Sequence, residues 1–122
     1  INNLFYSNNF DFDSTANIFS QSSTEISGGF LILSSGATAG VMETSSRDAS
    51  DDITQTELRI EGANLDNSTF EVSADDGASY QTVLRNTLTT VISAGKKLRA
   101  KVTLRTTGTT RASIDSLAIL YK

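Results

Sequence analysis

Apolar and polar residues alternate with a period of two along three stretches of this chain. Over 97–105, Leu98, Ala100, Val102 and Leu104 interleave with Lys97, Arg99, Lys101, Thr103 and Arg105, the pattern of a strand with one buried face. The stretch 56–61 repeats it with Leu58 and Ile60 inward, and 69–74 with Phe70, Val72 and Ala74 inward. A helix would need apolar residues three and four apart, and these stretches lack them. Two further runs, Phe30-Leu31-Ile32-Leu33 and Leu117-Ala118-Ile119-Leu120-Tyr121, are apolar on both faces. They read as strands covered on each side and lying next to each other.

Weaker strand signals lie at 3–7, 17–21, 40–45, 80–85 and 88–93. Between them stand the turn formers Gly28-Gly29, Ser35-Gly36, Asp75-Asp76-Gly77, Ala94-Gly95 and Thr107-Gly108. Asp76-Gly77 supplies the positive φ angles of a tight hairpin. With no helical window, about ten short strands predict an all-β fold, a sandwich or a barrel, spanning 1–122 as one domain. The expected core is Phe30, Ile32, Leu58, Ile60, Phe70, Val72, Leu98, Val102, Leu104 and Ile119. There is no internal repeat, linker or second domain in the pattern, and the first half is more polar and irregular than the second.

Composition narrows the chemistry. The chain of 122 residues holds no Cys, His, Trp or Pro. That removes disulfides, thiol nucleophiles, imidazole bases and most zinc sites, so no enzyme activity is expected. Ten basic residues against 14 acidic ones give a net charge of −4, which argues against nucleic acid and anionic membranes as partners. No apolar run approaches the roughly 18 residues of a membrane span, and no signal peptide opens the chain. Its first residue, Ile1, suggests a processed chain or an excised fragment.

Some residues retain chemical potential. Asp11 and Asp13, two apart in an extended segment, place both carboxylates on one side, where they suit a hard cation such as Ca²⁺; the alternative is a solvated loop with Phe10 and Phe12 inward. The segment 47–52 is dense in acid but lacks an EF-hand pattern, and reads as an exposed connection. Asp75-Asp76-Gly77-Ala78-Ser79 has a full explanation as turn chemistry. Carboxylate-pair glycoside hydrolysis has no spacing rule against it, but its clefts are aromatic and this chain has no Trp. The stripe Lys97, Arg99, Lys101 and Arg105 either meets an anionic partner or pairs across the sheet with Glu57, Glu61 and Glu71. Asn67-Ser68-Thr69 matches a glycosylation sequon. Tyr6 and Tyr80 are the candidates for an exposed, ligand-binding aromatic.

Phe70-Glu71-Val72-Ser73-Ala74-Asp75-Asp76-Gly77-Ala78-Ser79-Tyr80, then 95–104, then Ser113-Ile114-Asp115-Ser116-Leu117-Ala118-Ile119-Leu120-Tyr121 form a strand and hairpin layout. In that layout the second half of the chain, about residues 53–122, resembles jelly-roll modules of phage virion proteins. The resemblance implies a single jelly-roll β-sandwich of about 8–10 antiparallel strands. It also implies a structural or attachment module of a virion, in a tail, baseplate or capsid surface. Its partners would be other virion proteins or further copies of itself, and its location the virion or otherwise extracellular. Related galactose-binding-like sandwiches include carbohydrate-binding modules, so the alternative is a glycan-binding module, with or without structural calcium. Tyr80 stands where those modules commonly carry Trp.

Overall fold

A computed structural model describes residues 6–122 of the chain. Twelve strands are present among them: β1 (Tyr6–Phe10), β2 (Ile18–Ser22), β3 (Thr24–Ser27), β4 (Phe30–Leu33), β5 (Ala39–Thr44), β6 (Arg47–Asp48), β7 (Gln55–Ala63), β8 (Thr69–Ser73), β9 (Gln81–Val83), β10 (Leu88–Thr90), β11 (Lys97–Arg105) and β12 (Ser113–Tyr121). One 3-10 turn, Thr15–Asn17, precedes β2. Strands β3 and β6 exceed the sequence expectation. The first residues of the strand expected at 3–7 lie outside the described residues.

The strands form two antiparallel sheets. The first runs β10-β7-β12-β4-β3, and the second β2-β5-β11-β8-β9. Taken without the short flanking strands, the order 10-7-12-4 faces 9-8-11-5, the double wrap of a jelly roll. The sandwich expectation therefore holds. Each sheet has a nine-residue strand at its centre, β12 or β11, and β7, beside β12, is equally long. Along one edge of β12 pair β1 and then β4; along one edge of β11 pair β5 and then β6.

Between the sheets lies an apolar core that includes Met42, Leu58, Ile60, Phe70, Val72, Leu98, Ala100, Val102, Leu104, Ile114, Leu117 and Ile119. Strand β11 alternates buried and solvent-touching residues without exception, as its period of two requires. The expectation for β4 fails: Phe30 is 43% exposed and Ile32 half-buried, while Leu31 and Leu33 are fully buried. The reason lies in the hairpin partner. Strand β3 places Thr24 and Ile26 opposite Leu33 and Leu31, and Glu25 and Ser27 opposite Ile32 and Phe30. Only one parity keeps Glu25 in water, because a carboxylate in the core would forfeit its hydration.

The β8–β9 connection also differs from the expected tight hairpin. It spans 74–80, although Asp76 and Gly77 do take positive φ, at 60° and 84°. Asp75 organises this loop: its carboxylate accepts from Ser73 Oγ (2.6 Å), Ser79 N (3.0 Å) and Ser79 Oγ (2.6 Å). Those three donors favour the ionised form and pull its pKa to about 2.

Candidate ligand-binding site

Tyr6 and Tyr121 are directly opposed in the β1–β12 ladder, in phase with Asn8 opposite Ile119 and Phe10 opposite Leu117. All six thus point to the inner side of the first sheet. Phe10, Leu117 and Ile119 are buried, but the tyrosines stand at the end of the sandwich. Tyr6 remains 65% exposed, and the two rings stack with centroids 5.4 Å apart.

The β6–β7 connection lines the same cleft. Ala49 N donates to Lys96 O (2.8 Å) and Ile53 N to Gly95 O (2.8 Å), while Thr54 N donates to Lys122 O (2.8 Å). Ile53 is buried as an anchor. Pinned on both sides, the loop turns Ser50, Asp51 and Asp52 to solvent. Together with the tyrosines they line a cleft of about 530 Å³, which thus combines an aromatic surface with two carboxylates. Tyr6 is expected from the sequence as an exposed aromatic and 47–52 as an exposed connection, but nothing in the sequence joins them; Tyr121 stands out there only as the end of an apolar strand.

Tyr80 does not join Tyr6. It is half-buried on the second sheet, under the Lys101 ammonium at 5.4 Å from its ring, and its hydroxyl is enclosed without a hydrogen-bond partner. Burial, reinforced by the Glu43 charge, pushes its pKa up to about 12. Next to it, the Arg99 guanidinium lies 4.0 Å over the Phe19 ring and its Nε sits 3.1 Å from both Ser46 Oγ and Asp76 Oδ1. The Ser46 hydroxyl first, and Arg99 after it, hold the Asp76 carboxyl below its usual range. Lys97, Arg99 and Lys101 of the basic stripe are thus engaged by Asp48, Asp76 and Glu43, with Glu71 in register opposite Lys101, while Arg105 donates to Asn67 O and Thr69 Oγ1. Pairing with Glu57 and Glu61 is excluded, since β7 belongs to the other sheet.

Asp11 and Asp13 project to solvent from a segment whose Phe10 and Phe12 are buried. Asp13 N donates to Asp11 Oδ1 (3.4 Å), and Asn17 Nδ2 to Asp11 O (3.3 Å). The pair borders a broad hollow of about 760 Å³ shared with Glu57, Arg59, Glu61 and Asp115. Arg59 is bound to Glu57 at 2.7 Å. Among the described residues no three acidic side chains converge as metal ligands.

The fold defines a jelly-roll β-sandwich. No protein-family model matches the chain, and no curated protein does. Among solved structures, that of a family two carbohydrate esterase from Cellvibrio japonicus aligns with a TM-score of 0.49 at 12% identity. The alignment covers 98% of this chain and 35% of that one, so this chain spans about a third of that protein's length.

Proposed function

We propose that this chain is a non-catalytic binding module that holds a glycan on the Tyr6–Tyr121 platform. One observation carries the reading: an aromatic ring exposed at 65%, held from behind by a second ring, forms a wall of a cleft. A pyranose presents an apolar C–H face that such a ring covers, while its rim hydroxyls need acceptors. Asp51 and Asp52 provide acceptors in the same cleft. Lack of His and Cys in the whole chain speaks for binding without turnover. The test is titration calorimetry against a panel of soluble oligosaccharides. At least one should bind, Tyr6→Ala should weaken it about tenfold, as expected for loss of an aromatic contact, and Tyr80→Ala should leave it unchanged. No binding across the panel, or equal effects at Tyr6 and Tyr80, would refute the reading.

A second reading, assembly with virion proteins or further copies of the chain, draws on a different surface. Leu84 (74% exposed), Ile92 (81%) and Leu88 all stand in solvent around the β9 and β10 edges. Light scattering tests it: concentration-dependent association lost in Leu84→Ser/Ile92→Ser would favour assembly.

A further inference from the structure

We infer that the Tyr6 cleft selects glycans carrying a protonated amine, such as oligomers of 2-amino-2-deoxyglucose, over N-acetylated and anionic ones. This rests on reading Tyr6 as a sugar platform. What adds to it is the state of the two carboxylates that share the cleft with that platform. Glu43, Asp48, Glu57 and Asp76 each have a Lys or Arg partner on the protein. Asp51 and Asp52, both exposed, have no ion pair or hydrogen bond among the described residues. Among the described residues lining the cleft Lys122 is the one with a cationic side chain, so two carboxylates against one ammonium leave them net negative.

Neither carboxylate can withdraw by a shift of its loop, because the backbone hydrogen bonds of Ala49, Ile53 and Thr54 fix that loop to the β10–β11 connection and to the end of β12. An ammonium group on a ring stacked over Tyr6 would meet them; an acetamide gains no charge attraction there, and a uronate is repelled. One ammonium–carboxylate pair at about 4 Å in water changes affinity roughly fivefold. Ion pairing of this exposed kind weakens as salt rises.

The experiment is calorimetry of the 122-residue chain with tetrasaccharides of glucosamine, N-acetylglucosamine and galacturonic acid, at low salt and at about 0.5 M salt. The amine oligomer should bind at least fivefold more tightly than the N-acetylated one. That advantage should shrink at high salt and disappear in Asp51→Asn/Asp52→Asn, an exposed pair whose change leaves the fold intact by circular dichroism. Equal binding of the amine and N-acetylated oligomers, both weakened by Tyr6→Ala, overturns the selectivity and leaves the platform standing. Amine preference that survives the double Asn variant overturns it as well. No binding by any of the three overturns the selectivity alone, since the platform is tested by the wider panel; binding indifferent to Tyr6→Ala removes platform and selectivity together.

Discussion

Strand β4 offers a direct test of how this sandwich chooses its inward face. Leu31 is fully buried, opposite Ile26 across the hairpin and Ile114 on β12. Leu31→Ala removes buried methyl and methylene groups in a close-packed layer, and should cost about 2–5 kcal/mol. Phe30 is the larger side chain, yet 43% exposed and aligned with Ser27. Full burial of a phenyl group contributes roughly 1.5–3 kcal/mol; with much of the ring already wet, Phe30→Ala should cost about 1 kcal/mol. Urea denaturation separates the two. With a slope of roughly 1–3 kcal/mol per molar, the Leu31 variant should shift its midpoint by about 1 M or more, and the Phe30 variant by a third of that or less. A Phe30 variant as damaged as the Leu31 variant would refute the assigned parity, and with it the register of β3 against β4.

Two further outcomes follow from the loops. The depressed pKa of Asp75, about 2 in the folded protein against an ordinary 3.8, contributes stability that is complete above pH 4 and is lost as pH falls through 2; melting temperatures measured from pH 5 to pH 2 should therefore fall less steeply in Asp75→Asn than in the native chain. Calcium needs six or more oxygen ligands, and only the Asp11 and Asp13 carboxylates stand together on their segment, so millimolar calcium should leave the melting temperature unchanged; a rise abolished by Asp11→Asn would assign a bound ion to that pair.

Long strands with one wet face were legible before any coordinates. Lys97–Arg105 alternates in sequence as it does in burial, because a period of two admits a single division into faces. Where a run is apolar throughout, as in Phe30–Leu33, alternation defines no parity, and the expected core residues Phe30 and Ile32 are the less buried pair; the deciding information sits in Glu25 and Ser27, on a four-residue strand too short to recognise alone. The same limit hid the cleft. Tyr6 and Tyr121 are separated by nearly the whole chain, and nothing in either neighbourhood encodes their pairing. Asp51 and Asp52 share a cleft with them because β6 closes against β11 while β7 opens against β12. Long-range pairing of that kind emerges only once the double wrap is known.

The two strands at the centres of the sheets, β11 and β12, have a consequence for biosynthesis. Both β11 and β12 fall after residue 96, and each is flanked on both edges by strands made much earlier. A nascent chain that has emerged only as far as β10 holds the outer strands of both sheets and the central strand of neither. Its apolar faces must wait, unpaired at their inner edges, for residues 97–121. Folding of this kind, dominated by contacts distant in sequence, runs on the scale of roughly milliseconds to seconds. During that interval the unpaired edges are open to strands from other molecules, so yield during expression should depend on how quickly translation delivers Lys97–Tyr121 more than on any single contact in the finished sandwich.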